Sequence, residues 1–324
     1  MTVRSILDKA LSGRELTWDD ARVLMDIELG SEDMYLLMSC ANSLSRKEFR
    51  NRGLIFAQVG LDSNPCSKNC GFCSLGARHG LMGPGHELSE AEVMEKVEAF
   101  VSAGIHDLFL MTTADYDFDK FLRIGEKVRK MLPDGMRMVA NTGDFGPGEA
   151  RRLADVGFTG AYHIRRLREG VDTEIPPEDR EATLAAINEA NLELYYCVEP
   201  IGPEHTADEL IAEMFRAKKY NVSVMAAMRR IPVPGTPLAE NGQISEFELA
   251  KVTAVARLVV GKNMRAMGVH EPSLISLIAG ANQIYAETGV NPRDTKEDTS
   301  LGRGFSVEDA STMLWEAGWE VVIE

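Results

Sequence analysis

The 324-residue sequence predicts an α/β fold, a (β/α)8 TIM-type barrel preceded by an N-terminal helical extension. Short apolar segments alternate with segments of helical periodicity along most of the chain, which is typical of a parallel sheet covered by helices. Eight apolar segments follow one another, enough to close such a sheet into a barrel. The glycine-rich loop that follows the first strand of a dinucleotide-binding open sheet is absent. We therefore expect a helical extension at residues 1–52 and the barrel at residues 53–324.

The extension is predicted to contain two or three helices. Thr17 and Asp20 have the spacing of a capping box, which marks a helix start. Met34–Arg50 carries apolar residues at helical spacing. Cys40 lies in that segment, where we expect it to pack against its neighbours, and a role as a ligand of a second cluster stays open.

The predicted strands of the barrel are short apolar segments bounded by polar residues or glycine. They are Leu54–Gly60, His106–Thr112, Met136–Asn141, Gly160–Ile164, Leu194–Val198, Val222–Met228, Met264–Val269 and Gln283–Tyr285. Since barrel enzymes carry their chemistry where the strands end, residues that follow these segments are the candidates for a site.

The predicted helices lie between these strands. The first opens with a capping box at Ser89 and Glu92, runs to about Ala103 and stops at Gly104. The others are Phe118–Met131, Gly148–Val156, Asp179–Ala190, Asp208–Lys219, Glu246–Val260 and Ser273–Gly280.

Composition and charge exclude several classes of protein. The net charge of −15 argues against a surface for nucleic acid or for an anionic membrane. No apolar run is long enough to span a bilayer, and residues 1–26 contain no apolar core of a signal peptide. Five cysteines, three of them crowded together, do not form a disulfide framework. We expect a cytoplasmic protein without nucleic-acid or membrane partners.

Three cysteines lie directly after the first predicted strand, in the stretch Asn-Pro-Cys-Ser-Lys-Asn-Cys-Gly-Phe-Cys at positions 64–73. A structural zinc site takes four ligands, usually as two separated pairs, and no second pair follows at such a spacing. A four-iron cluster held by Cys66, Cys70 and Cys73 would leave one iron open to another ligand. The spacing favours an iron–sulfur cluster, and a non-catalytic iron–sulfur or zinc protein is the alternative of another class.

This stretch resembles the signature loop of the radical S-adenosylmethionine enzymes. The resemblance implies a 4Fe–4S cluster on the three cysteines and bound S-adenosylmethionine, whose reductive cleavage yields a 5′-deoxyadenosyl radical that abstracts hydrogen from an unactivated carbon. It further implies an electron donor such as flavodoxin or ferredoxin, and a small-molecule or protein-tethered substrate. In this family the aromatic residue before the third cysteine, here Phe72, packs beside the adenine.

The same resemblance implies further contacts with S-adenosylmethionine at the strand ends. They are Thr112 and Thr113 for the methionine amine, Arg166, Arg168 and Glu169 for the ribose and methionine, and Arg180 for the methionine carboxylate. A guanidinium suits the last role because its two parallel N–H groups match the two oxygens of a carboxylate.

Residues 232–240, Pro-Val-Pro-Gly-Thr-Pro-Leu-Ala-Glu, and residues 279–282, Ala-Gly-Ala-Asn, are similar to segments of the biotin synthase branch. That branch includes enzymes of lipoyl and thiamine synthesis and of hydrogenase maturation. Biotin synthase holds a second cluster on cysteines of its second, third and fifth strands, and here only Cys197 falls near a matching position. Ordinary biotin synthase is therefore disfavoured.

Two reactions stay open within the branch. The first expectation is sulfur insertion of the lipoyl synthase type, a sulfurtransferase-like reaction on an octanoyl chain, with Cys197 or Cys40 helping to hold a second iron–sulfur cluster. The alternative is rearrangement or metal-cofactor maturation without sulfur transfer, as in methylornithine synthase or the hydrogenase maturases.

Other residues at predicted strand ends or in strand interiors are candidates for a second cluster or for substrate contacts. Together with the two cysteines Cys197 and Cys40, they are Tyr162, His163, Tyr196, His205, Arg229, Arg230, Arg265 and His270. The cationic side chains among them would suit a substrate that carries a carboxylate.

Overall fold

The computed structural model describes residues 2–322, so the first residue of the predicted extension and the last two of the predicted barrel segment lie outside it. The strands are β1 (Arg52–Gly60), β2 (Asp107–Met111), β3 (Arg137–Asn141), β4 (Gly160–Tyr162), β5 (Glu193–Ile201), β6 (Val224–Arg229), β7 (Ala266–Val269), β8 (Gln283–Gly289) and β9 (Glu320–Val321). The helices are α1 (Val3–Leu11), α2 (Trp18–Met25), α3 (Glu32–Glu48), α4 (Glu90–Ala103), α5 (Phe118–Arg129), α6 (Pro147–Val156), α7 (Pro177–Glu189), α8 (Ala207–Lys219), α9 (Glu246–Val260), α10 (Leu274–Ile278) and α11 (Val307–Glu316).

Strands β1 to β8 form a closed parallel barrel. Each strand pairs with the next in sequence, and β1 pairs with both β2 and β8, which closes the sheet. The helices that follow the strands surround the barrel, so the predicted (β/α)8 fold is confirmed. The short strand β9 lies outside this closed sheet and pairs with the start of β1, where Arg52 is opposite Glu320.

Local sequence signals placed most of these elements correctly. The two predicted capping boxes, at Thr17 with Asp20 and at Ser89 with Glu92, are both present. Strand β8 runs four residues beyond its predicted end at Tyr285, because its pairing with β1 continues through Thr288 and Gly289 after the apolar run has ended. Helix α11 and strand β9 were not predicted.

Aromatic side chains fill the half of the barrel interior that lies away from the C-terminal ends of the strands. Phe56, Phe109, Tyr195 and Tyr285 pack against one another, with ring centroids 5.1 Å apart for Phe109 and Tyr285 and 6.0 Å apart for Phe56 and Tyr195. Such close packing makes this half a solid core. Open space is therefore confined to the half of the barrel where the strands end.

The helical extension packs against the outside of the barrel through polar as well as apolar contacts. In α3, the Ser45 hydroxyl donates to the carbonyl of Gly280 at 2.6 Å and accepts from Nε of Arg257 at 2.8 Å. Arg257, on α9, is fully buried and pairs with Glu48. These contacts fix α3 against α9 and the end of α10.

Candidate active site

A cavity lies at the C-terminal ends of the barrel strands. The residues after β1 that carry the three cysteines cover one side of it, and every strand of the barrel except β7 contributes at least one lining residue, with His270 following β7 directly. Ten of the predicted site residues line this cavity: Cys66, Phe72, Cys70, Cys73, Thr112, Thr113, Tyr162, Arg166, Arg180 and His270.

The cysteine loop, residues 64–78, brings its three thiols to the same cavity wall. Cys66 and Cys70 are buried, and Cys73 is half-buried. The amide of Cys66 donates to the carbonyl of Leu75, and the amide of Cys73 donates to the carbonyl of Cys70, at 2.8 and 3.0 Å. The loop therefore has a defined fold with its three thiols facing one space.

Four other loops at the same end of the barrel hold the cysteine loop in place. The amide and hydroxyl of Ser67 both donate to Asp115, after β2. The amide of Gly71 donates to the carbonyl of Asp172, after β4, at 2.8 Å. The remaining backbone anchors are Leu238 N–H to the carbonyl of Gly71 at 2.8 Å and Ser74 N–H to the carbonyl of Pro292 at 2.9 Å. Anchors on several strands make a rigid platform of a loop that has no regular secondary structure.

The two threonines after β2 face the cavity, but their hydroxyls already have partners. Thr113 donates from its amide and its hydroxyl to the fully buried carboxylate of Asp62, at 2.8 and 2.7 Å. The hydroxyl of Thr112 donates to that of Thr142 at 2.9 Å. Thr113 thus ties the end of β2 to the segment that leads into the cysteine loop.

Arg180, on α7, is buried between two carboxylates. Its Nε lies 3.2 Å from Oε2 of Glu169, and its Nη1 lies 3.1 Å from Oδ1 of Asp144. Burial opposes ionisation of Asp144, but the contacts with His163 and Arg180 outweigh it and lower the pKa of that carboxyl to about 2. Glu169, which does not line the cavity, fixes the orientation of Arg180 at the cavity wall.

The two neighbouring arginines after β4 diverge. Arg166 lines the cavity, with its guanidinium 6.0 Å from the centre of the Phe72 ring and its Nε 3.9 Å from Oε1 of Glu199. Arg168 has a left-handed backbone (φ 56°) and turns towards Asp172, 3.7 Å away, outside the cavity lining.

Several predicted substrate residues have structural partners outside the cavity. The ring of His163 lies 3.2 Å from Asp144, and burial lowers the pKa of this histidine to about 4. The hydroxyl of Tyr196 donates to Glu213 on α8, and Nδ1 of His205 accepts from the amide of Gly202 at 2.9 Å. The two arginines at the end of β6 form ion pairs, Arg229 with Glu246 and Arg230 with Glu204.

Two further residues of that prediction are far from the cysteine loop. Arg265 is at the opposite end of the barrel, where it pairs with the buried Asp107 and donates to the hydroxyl of Tyr195 at 2.7 Å. Cys40 is buried in α3, with its thiol 3.8 Å from the carbonyl of Leu7. Burial raises the pKa of the Cys40 thiol to about 11.

Cys197 faces the barrel interior and belongs to a buried polar group. Its Sγ, a carboxylate oxygen of Glu199 and a ring nitrogen of His270 all lie within 4.8 Å of one another. The hydroxyl of Tyr162 is 3.5 Å from Nδ1 of His270. Burial raises the pKa of the Cys197 thiol well above its ordinary value, and the nearby Glu199 carboxylate raises it further. The thiol is therefore neutral in this structure.

Sequence reasoning missed a second polar group, around Arg293 and Glu287. Oε1 of Glu287 accepts from Arg293 Nη2 at 2.7 Å, Asn291 Nδ2 at 2.8 Å and Gln58 Nε2 at 3.3 Å. Asn141, at the end of β3, donates to Gln58 at 3.0 Å. The sequence carried one signal for this group. Glu199 in β5 and Glu287 in β8 interrupt buried runs, and each lies at a position that alternates with outward-facing residues along its strand.

Comparison with known proteins finds relatives of this chain by sequence and by fold. No family model matches the sequence. A biotin synthase from Carboxydothermus hydrogenoformans is 25% identical over 314 residues, which cover 92% of this chain and 95% of that protein. A biotin synthase from Clostridioides difficile is 22% identical over 327 residues, 97% of each.

Solved structures agree on the fold. Methylornithine synthase has a TM-score of 0.81 at 18% identity, over 98% of this chain and 97% of its own. The FeFe-hydrogenase maturase HydG from Carboxydothermus hydrogenoformans has a TM-score of 0.81 at 16% identity, over 99% of this chain and 79% of its own.

Barrel, cysteine loop and relatives together resemble those of the radical S-adenosylmethionine enzymes and, among them, of the biotin synthase-like branch. This similarity implies a 4Fe–4S cluster, S-adenosylmethionine, a substrate and an electron donor. Among residues 2–322, no helix has the length and apolar character needed to cross a bilayer.

Proposed function

We propose that Cys66, Cys70 and Cys73 hold the 4Fe–4S cluster and that the enzyme abstracts hydrogen from a small-molecule substrate without a sulfur-donor cluster. The donor set fits the first part. Three thiols from one anchored loop face one cavity, and three protein ligands leave the fourth iron of a cluster open to that cavity. When bound, cluster and S-adenosylmethionine supply the 5′-deoxyadenosyl radical that starts the reaction.

The residues around the loop supply binding and orientation. Phe72 offers an aromatic face for the adenine, with Arg166 beside it. Arg180 offers its remaining N–H groups to the methionine carboxylate while Glu169 and Asp144 fix its plane. The packed aromatic side chains of the barrel interior close the cavity at the end away from the cysteine loop, which keeps water from entering on that side.

The number of thiols near the cavity carries the second part of the proposal. Within the part of the chain that the structure describes, Cys197 is the one cysteine inside the barrel apart from the three loop cysteines, and Cys40 lies in the extension against α1. One thiol is a poor ligand set for a second cluster, which usually takes four protein ligands, mostly cysteines. The presence of one such thiol favours rearrangement or metal-cofactor maturation over sulfur insertion.

Sulfur insertion is the second candidate, because Cys197 points into the barrel beside Glu199 and His270. Mixed nitrogen, oxygen and sulfur ligands of this kind could complete a cluster of unusual type. The lipoyl synthase-like version of this reaction would act on an octanoyl chain.

Cofactor cleavage by cysteine variants tests the proposal. The protein is reconstituted with iron and sulfide without oxygen, reduced with dithionite and supplied with S-adenosylmethionine, and 5′-deoxyadenosine is measured by chromatography. We expect Cys70→Ala to abolish its formation and the matched Cys40→Ala and Cys197→Ala proteins to retain it. Formation of 5′-deoxyadenosine by the Cys70→Ala protein would contradict the assignment of the cluster ligands.

A further inference from the structure

Arg293, Glu287 and the side chains that contact them, here called the Arg293 group, form a second polar surface of the cavity. None of these side chains contacts the three cysteines in the described hydrogen bonds and ion pairs. Arg293 and Glu287 both line the cavity. The side chain of Arg293 is 14% exposed and that of Glu287 8%. A guanidinium and a carboxylate buried side by side at a cavity wall are expensive to desolvate, so such a pair needs a reason beyond stability.

The Nη1 group of Arg293 has a weak partner. It contacts the thioether sulfur of Met228, at 3.0 Å. A thioether is a weak hydrogen-bond acceptor, whereas a charged N–H group in a buried place calls for an oxygen. Of the other two nitrogens of this guanidinium, Nη2 donates to Glu287 at 2.7 Å, and Nε lies 3.0 Å from Glu271 in an ion pair without a hydrogen bond. Nη1 is therefore the edge of Arg293 that an incoming anionic oxygen would satisfy.

Charge balance narrows the kind of ligand. Behind Arg293, Glu271 is 7% exposed and pairs with both Arg293 and Arg303. Two guanidiniums thus face two carboxylates, Glu271 and Glu287, and the group is neutral as it stands. A ligand with a carboxylate alone would leave an uncompensated buried negative charge, whereas a ligand with a carboxylate and an ammonium would keep the group neutral.

Glu287 is placed to receive that ammonium. The hydrogen bonds that its carboxylate accepts from Gln58, Asn291 and Arg293 all end on Oε1. Its other oxygen can therefore accept from a cation that lies beside Arg293. In an α-amino acid the ammonium is attached to the carbon next to the carboxylate, which matches the direct contact between Arg293 and Glu287.

We propose that Arg293 and Glu287 bind the carboxylate and the ammonium of an α-amino acid or a closely similar zwitterion, which is the substrate. The inference rests on the proposed function and deepens it, because it names the substrate class of the same cavity. A substrate carried on a protein through a thioester or amide has no free carboxylate at that end and would not use this pair.

Deuterium transfer from a mixture of metabolites tests the proposal, because it reveals a substrate class before any single substrate is identified. Small molecules are extracted from cells grown in deuterated medium and separated by ion exchange into zwitterionic, anionic, cationic and neutral fractions; a protein-bound fraction is kept apart. Each fraction is incubated with the reconstituted, reduced enzyme and S-adenosylmethionine. Mass spectrometry then measures deuterium in the 5′-deoxyadenosine.

We expect deuterium from the zwitterionic fraction alone. Loss of one charge-assisted contact should raise the half-saturating amount of that fraction by at least about tenfold in Arg293→Lys and Glu287→Gln. The matched control is Arg216→Lys, because Arg216 has a comparable side-chain exposure of 17% and pairs with Glu213 on the outer helix α8. This control should behave as the unaltered enzyme.

The outcomes separate this inference from the proposed function. Deuterium from another fraction, or from none while 5′-deoxyadenosine forms, would overturn the zwitterion proposal and leave the cluster assignment intact. Transfer from the zwitterionic fraction that both variants leave unchanged would overturn the roles of Arg293 and Glu287. If the iron-loaded enzyme forms no 5′-deoxyadenosine at all, the proposed function fails, and this inference fails with it.

Discussion

Asp115 accepts two hydrogen bonds from Ser67, one from the amide at 2.6 Å and one from the hydroxyl at 2.9 Å. Ser67 directly follows the first cysteine of the loop, and Asp115 lies after β2 on the neighbouring strand of the barrel. This pair joins the loop that carries the three cysteines to the strand end next to it. It therefore sets the position of Cys66 relative to the rest of the cavity.

Removal of this anchor should loosen the cluster without unfolding the barrel. We expect Asp115→Ala to lose iron several times faster than the unaltered protein when both are challenged with a chelator. Asp115→Asn, which keeps one acceptor oxygen, should be intermediate. Both residues are exposed, so the free energy of unfolding should change by less than about 1 kcal/mol. Equal iron loss from all three proteins would contradict this role.

Thr113 should contribute more to stability than its neighbour Thr112. Its hydroxyl donates at 2.7 Å to Asp62, a carboxylate with no exposed surface, and a Thr113→Val change leaves that oxygen without the bond. We expect the free energy of unfolding, measured with urea, to fall by about 1–3 kcal/mol. Thr112→Val removes a bond between two hydroxyls and should have a smaller effect; the reverse order would rule out this explanation.

The stability of the protein should depend on the protonation of His163. Burial lowers the pKa of this side chain from 6.5 to about 4 in the folded state. Above pH 6.5 the ring is neutral in both states. As the pH falls from 6.5 to 4, the His163 ring becomes protonated in the unfolded chain but stays neutral in the folded chain. The free energy of unfolding therefore falls by up to about 3 kcal/mol.

A His163→Gln variant lacks this titrating side chain. Its stability, measured by urea unfolding between pH 7 and pH 4, should fall less steeply with acid, by about 1.4 kcal/mol per pH unit at the steepest point. Parallel pH profiles for the two proteins would show that His163 is not the group responsible.

Arg265 should matter for folding and not for the cofactor. It pairs with Asp107, which has no exposed surface, at the end of the barrel away from the cysteine loop. An Arg265→Ala change leaves that carboxylate buried without its cation and should lower the free energy of unfolding by about 3–5 kcal/mol. The remaining folded protein should bind S-adenosylmethionine with unchanged affinity in equilibrium dialysis. Weaker binding by a protein of unchanged stability would instead place Arg265 in the site.

Much of this structure followed from local sequence patterns. The alternation of apolar and helical segments predicted the eight strands, and the position of the three cysteines after the first strand predicted their place at the end of the barrel. Both patterns are local, so a single sequence carries them. The two capping boxes belong to the same class of signal.

The polar groups of the cavity could not be predicted in the same way. Whether a strand residue faces inwards depends on register, and a shift of one residue reverses its side. Cys197 faces inwards beside His270, while Arg265, five residues before that histidine, is at the other end of the barrel. Arg293 belongs to a loop after β8, and its partners Glu287 and Glu271 come from the ends of two neighbouring strands, β8 and β7, whose pairing register a single sequence does not reveal.

Iron and sulfide content, with Mössbauer spectra of protein reconstituted without oxygen, tests the central claim most directly. The claim is that Cys66, Cys70 and Cys73 hold a single cluster. We predict about four irons per chain, lost in Cys70→Ala and unchanged in Cys197→Ala and Cys40→Ala. Zinc in place of iron, or clearly more than four irons that decrease when Cys197 is replaced, would contradict it.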